Sequence, residues 1–279
     1  MHIAGFAAAN GTRLYYEADG SGHPLVLVHA TGLDRRMWDG LFEVFAQDYR
    51  VVRYDLRGFG RSDPPTGEGY RHADDLKALL DCLEIPEAHV IGFCLGGGIA
   101  IDFALQYPQP ATALVVINTR LGGCALQDPV AAEGFASVRA IGRKSGIEAA
   151  RAYWLALDLF DSVRGKPDLF ARLTEMIADY SGWHWTHDDP REELSPPAVD
   201  RLHEIAAPTL VVAGERDLPD WKRMCAIVAE RVPGAQYVEM PGVGHFPPLE
   251  APAAFMETVL AFLASLPASG DQSRISPSP

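Results

Sequence analysis

The most chemically informative stretch of this chain runs Val90-Ile91-Gly92-Phe93-Cys94-Leu95-Gly96-Gly97-Gly98. The apolar AHVIGF predicts a short strand and IAIDFALQY a helix, so Cys94 falls on the turn between them. Glycine two residues to either side lets the backbone fold sharply and expose the side chain at its apex, the arrangement of a nucleophile elbow. A thiol in that place attacks an acyl carbon directly as thiolate, whereas an alcohol needs more help with deprotonation. The helix that follows can aim its first amides at negative charge developing on the attacked oxygen. A buried cysteine that merely packs on a Gly-x-x-x-Gly turn satisfies the same string.

Such a turn needs a sheet beneath it. PLVLVHA, YRVVRYD, AHVIGF, ATALVVIN, APTLVVAGERD and AQYVEM are short β runs, and helical patterns separate most of them. Leu76, Leu79, Leu80 and Leu83 give such a pattern over 70–83, and a helix is also expected over 34–46. TRLYYEA opens the chain as a hairpin or early strand pair. This alternation predicts an α/β fold with a mostly parallel sheet covered by helices on both faces. It stops over 119–198, where three helical stretches (129–143, 146–160 and 167–180) and the aromatic SGWHWTHDDP read as a helical cap. The expected organisation is a core at 1–118, the cap at 119–198, the rest of the core at 199–266 and a mobile tail at 267–279.

The 279 residues are 48% hydrophobic and 22% charged, enough for a sizeable core, and carry a formal net charge of −13 that disfavours broad attraction to nucleic acid or anionic lipid. No apolar run is long enough for a membrane span and the N-terminus lacks a secretory pattern, so the cytoplasm is expected. Cys82, Cys94, Cys124 and Cys225 show no paired metal-ligand spacing, and the nine histidines form no H-E-x-x-H pattern. Neither a metal nor a cofactor is expected. The GFG of DLRGFGRS lacks the context of a dinucleotide site.

In order, LVLVHATGLDRRMW, YDLRGFGRSDPP, GFCLGGG, SGWHW, GERDLPD and GVGHFPPLE resemble the α/β-hydrolase superfamily over almost the whole chain, especially the capped 3-oxoadipate enol-lactone hydrolases and related esterases. The elbow there usually carries serine. The GFCLGG string is similar to that of dienelactone hydrolases and polyhydroxyalkanoate synthases, which use cysteine. The resemblance implies an eight-stranded sheet with an inserted cap, His245 as base, Asp217 as the acid orienting it, and an oxyanion hole from the amides of Leu95 and Thr31. Asp220 competes with Asp217 for the acid role.

Candidates for the substrate pocket are His29, Arg120, Trp154, Trp183, His184, Trp185 and Phe246, with His187 a further roof residue; for the aromatics, plain packing is the competing reading. The expected function is hydrolysis of an ester or lactone through a thioester on Cys94. An acyltransferase or cyclase using the same three residues, and a silent small-molecule binding protein, are the alternatives. The expected partner is a small acyl substrate; its presentation by a carrier protein and homodimerisation stay open.

Overall fold

The computed structural model describes residues 2–267. Eight strands form one sheet: β1 (Ile3–Ala9), β2 (Thr12–Asp19), β3 (Pro24–Val28), β4 (Arg50–Tyr54), β5 (Ala88–Phe93), β6 (Ala111–Ile117), β7 (Thr209–Gly214) and β8 (Gln236–Met240), in the spatial order β1-β2-β4-β3-β5-β6-β7-β8. The β1–β2 and β2–β4 pairings are antiparallel and the other five are parallel. Every residue of β5 and β7 is buried, which explains why these strands read as unbroken apolar runs.

The helices are α1 (Leu41–Phe45), α2 (His72–Cys82), α3 (Leu95–Gln106), α4 (Pro129–Ser145), α5 (Ile147–Ala156), α6 (Asp161–Arg164), α7 (Pro167–Asp179), α8 (Trp183–Thr186), α9 (Ala198–Arg201), α10 (Pro219–Arg231), α11 (Pro247–Glu250) and α12 (Pro252–Ala264). Helices α4 to α8 lie between β6 and β7 and form the inserted cap.

One expected helix is broken. Over 34–46 the chain makes a single 3-10 turn at Arg35–Trp38 and then α1, because Gly40 at φ 84° interrupts the helical path. The PPLE of GVGHFPPLE forms the short α11, just before α12. The expected tail lies, from residue 268 onward, outside the described residues. Among the described residues no helix is long and apolar enough to cross a membrane.

Candidate active site

Cys94 sits between β5 and α3 at φ 52° and ψ −106°, a left-handed backbone that a residue with a Cβ rarely adopts. Its N–H donates to Ile117 O at 2.9 Å, and its carbonyl accepts from Arg120 N at 3.0 Å and Gly98 N at 3.2 Å. The elbow is thus tied to the end of β6. The flanking glycines are sterically required. A Cβ on Gly92 would stand 2.1 Å from Gly96 O, and one on Gly96 would stand 2.2 Å from Val28 O.

His245 lies on the loop after β8, and its Nδ1 bonds to both oxygens of Asp217 at 3.0 Å. Asp217 follows β7, and both side chains are almost fully buried. Since Nδ1 is engaged, Nε2 is the ring nitrogen left for the Cys94 thiol, which lines the same cavity as the imidazole. Burial disfavours the imidazolium, but the charge and hydrogen bond of Asp217, helped by Cys94, outweigh it and push His245 up to about 10.

That shift carries a stability prediction. The folded protein holds a proton on His245 that the unfolded chain releases near its ordinary value, so the stabilisation is fully present below about 6.5 and fades as pH rises toward about 10. The difference in unfolding free energy between the parent chain and His245→Gln, measured in urea across that window, therefore narrows as pH rises. A constant difference would contradict the assignment.

Asp220, the competing acid, faces elsewhere. Its carboxylate accepts from the amides of Gln127 at 2.9 Å and Asp128 at 2.9 Å and pairs with Arg223 at 2.8 Å, anchoring the start of the cap.

Two residues that sequence reasoning missed hold the His245 loop. Asn118, buried at the end of β6, donates to Gly244 O at 3.1 Å and His245 O at 2.8 Å while accepting from Gly214 N at 2.9 Å. Its backbone stands at φ 38°, in the region that asparagine tolerates better than most residues. Glu250, from α11, accepts from Gly244 N at 3.1 Å, Phe246 N at 3.0 Å, Ser162 Oγ at 2.9 Å and Lys166 Nζ at 2.8 Å. It therefore joins the loop to the cap.

Asn118→Ala strips partners from three buried backbone groups at once. A loss of about 2–4 kcal/mol in urea unfolding is expected, together with a fall in turnover as His245 loses its register. A loss no larger than that of an exposed Asn→Ala change would remove Asn118 from this role.

A cavity of about 640 Å³ opens above these groups. Thr31, Cys94, Leu95, Arg120, Trp154, His184, Trp185, His245 and Phe246 line it, while Asp217 stands behind His245. Phe59 of DLRGFGRS lines it too and stacks on His184 with ring centroids 4.4 Å apart. Gly58 makes that approach feasible, since a Cβ there would meet His184 Cε1 at 2.5 Å. The amides of Leu95 and Thr31 have no acceptor among the described residues.

Three pocket candidates are not among the lining residues. His29 is fully buried; Leu56 N donates to its Nε2 at 2.9 Å and its Nδ1 donates to Ala30 O at 2.9 Å. It braces the loop that carries Thr31 from below. Trp183 stacks on His187 with centroids 5.1 Å apart, and both lie outside the cavity lining. Helix α8 brings His184 and Trp185 to the cavity, while Trp183 and His187, the residue that caps its end, lie outside the lining.

All four cysteines are free. Cys225 is buried and its thiol is pushed up to about 12 by desolvation, whereas Cys124 lies in the cavity wall with Arg223 Nη1 3.1 Å from its sulfur.

A nucleophile elbow, an imidazole backed by a carboxylate and a capped doubly covered sheet together define an α/β-hydrolase. The family model for the alpha/beta hydrolase fold matches residues 23–252, and the chain belongs to that family. A 2-hydroxy-6-oxononadienedioate/2-hydroxy-6-oxononatrienedioate hydrolase from Paraburkholderia xenovorans is 31% identical over 270 residues, covering 90% of this chain and 91% of its own. The enol-lactonase from Burkholderia xenovorans superposes with a TM-score of 0.76 at 26% identity, over 93% of this chain and 100% of that one. A thermophilic esterase from Thermogutta terrifontis gives a TM-score of 0.76 at 25% identity, over 94% and 98%.

Proposed function

We propose that this chain is a cysteine-dependent hydrolase of esters or lactones. The observation that carries the reading is the convergence, in the wall of one cavity, of Cys94 on its strained elbow with His245, which Asp217 holds from behind. The Cys94 proton resides on His245 when sulfur attacks the acyl carbon, and the amides of Leu95 and Thr31 receive the oxyanion. The tetrahedral species collapses by breaking its C–O bond. His245 returns the proton to the departing oxygen, leaving a thioester on Cys94. Water then attacks the thioester and gives its proton to His245; the C–S bond breaks, the acid leaves, and the proton stays on His245 beside the freed sulfur for the next turnover.

The enol-lactonase, 2-hydroxy-6-oxononadienedioate hydrolase and esterase relatives support an activated acyl substrate under a cap, with 119–198 covering a core made of 1–118 and 199–266. A free catalytic thiol suits a reducing compartment such as the cytoplasm. Brief incubation with activated esters, enol lactones and thioesters, followed by intact-protein mass spectrometry, tests the mechanism. A transient acyl mass on Cys94 that forms or discharges more slowly in His245→Ala is the expected result. Turnover with no acylated species even under rapid quenching would argue against a covalent route, and product capture by added alcohols or amines in preference to water would make the enzyme a transferase.

A further inference from the structure

The cavity has a second, polar region along α3 that the acyl chemistry does not use. Leu95, Gly98, Ile99 and Asp102 are spaced three and four apart on one face of that helix, and all line the same cavity as Cys94. Asp102 is half-buried, and its carboxylate accepts no hydrogen bond and makes no ion pair among the described residues. Gly122 packs beside it, since a Cβ there would already be in van der Waals contact with Ala198 at 3.6 Å and with Asp102 Oδ1 at 3.9 Å, so a ligand reaches the carboxylate from the cavity side. A carboxylate set in a cavity wall with no protein donor has an unmet demand for one.

Charges around it come from the segment after α8 and from α9. Arg191 and Arg201 favour the ionised form and Glu193 opposes it, but desolvation is the largest influence and pushes Asp102 up to about 7. Arg201 is already paired with Glu204 at 2.8 Å. Arg71, Arg120, Arg139 and Arg191 line the cavity together with Asp102, Asp189, Glu192 and Glu193, so acidic and basic side chains balance and a neutral donor is the match for Asp102.

Resting on the hydrolase reading, we propose that Asp102 is a specificity-determining residue that accepts a hydrogen bond from a hydroxyl or amide N–H of the substrate, about 10 Å from the scissile carbonyl by the rise of α3 between Leu95 and Asp102. The substrate class is an ester or lactone with a polar, donor-bearing end.

The test uses matched activated esters whose chain of about six to eight carbons spans that rise and ends in a hydroxyl, a methyl ether or a methyl group. One series carries the end group on the acyl side and another on the alcohol side. The methyl ether keeps the oxygen and removes only the donor. In one of the two series the parent protein is expected to favour hydroxyl over methyl ether by about tenfold in kcat/KM. The ratio rises with pH through about 7 as Asp102 ionises and collapses toward one in Asp102→Leu. Ratios are compared within each variant, so a general loss of activity does not affect them; Asp102→Asn, which keeps the shape, is expected to abolish the pH dependence.

A ratio near one in both series of the parent protein, or a tenfold ratio persisting in Asp102→Leu and Asp102→Asn, would overturn the assignment. Matched amides, read by quenching of Trp154 and Trp185 in the cavity wall, separate the two readings. Preferential binding of the hydroxyl-ended amide with no ester turned over would strike the hydrolase reading alone, whereas equal binding of hydroxyl- and ether-ended amides would strike the role of Asp102.

Discussion

Cys94→Ala is expected to lower kcat/KM on any ester the parent protein turns over by about 10⁴-fold or more, because it deletes the atom that forms the covalent bond while leaving the cavity and the free amides in place. The fold should survive: alanine keeps the Cβ at the elbow, and removing one sulfur from a buried site shifts the unfolding midpoint by only a few degrees, about 1 kcal/mol. His245→Gln is expected to cost less, about 10²- to 10³-fold, since a thiol is a few per cent ionised near neutral pH without help. That order of effects separates a thiol enzyme from one in which His245 activates water directly. Stopped-flow or steady-state rates on both variants, with circular dichroism to check folding, decide it. Cys94→Ala within tenfold of the parent protein would remove Cys94 from the reaction.

The elbow was readable in the sequence because its requirement is local. A strand, a turn with glycines at two fixed offsets and a helix lie within one short stretch, and each glycine is there because a neighbouring carbonyl occupies the space of its Cβ. Asp217 and His245 follow short strands on the same sheet, and their motifs survive in sequence even though the contact at 3.0 Å is long-range. Asn118 and Glu250 were not readable. Nothing in the local string says that the Asn118 amide will reach Gly214, Gly244 and His245, because those bonds exist only once β6, β7 and the loop after β8 are neighbours.

The cap was legible as helices but not as surfaces. Periodicity finds α4, α5 and α7, yet which side of the single turn α8 faces the cavity depends on how that turn lies against Phe59 and Gly58. Trp183 and His184 are adjacent in sequence, and only the latter lines the cavity. His29 shows the same limit at a buried position: a histidine two residues before Thr31 suggests chemistry, but its nitrogens are bound to the backbone of Ala30 and Leu56.

Gly96→Ala and Gly92→Ala should be among the most damaging single-methyl additions in the chain. At both positions the new Cβ meets a backbone oxygen, 2.2 Å away at Val28 and 2.1 Å away at Gly96 respectively, and a carbonyl cannot swing aside as a side chain can. Each is expected to lose about 3–5 kcal/mol in urea unfolding. Gly165→Ala is the matched control. It has open space and φ −79°, so it should be neutral or gain up to about 0.5 kcal/mol through the unfolded state. Gly96→Ala carries a further consequence for the site. Val28 leads directly into His29, Ala30 and Thr31, so forcing α3 away from the end of β3 moves the Leu95 amide relative to the Thr31 amide. Whatever fraction folds should therefore show a low kcat even where substrate still binds, because donors that no longer converge on one oxygen stabilise the tetrahedral state less than the ground state. A folded Gly96→Ala protein with parent-like kcat would mean that these two amides do not act together.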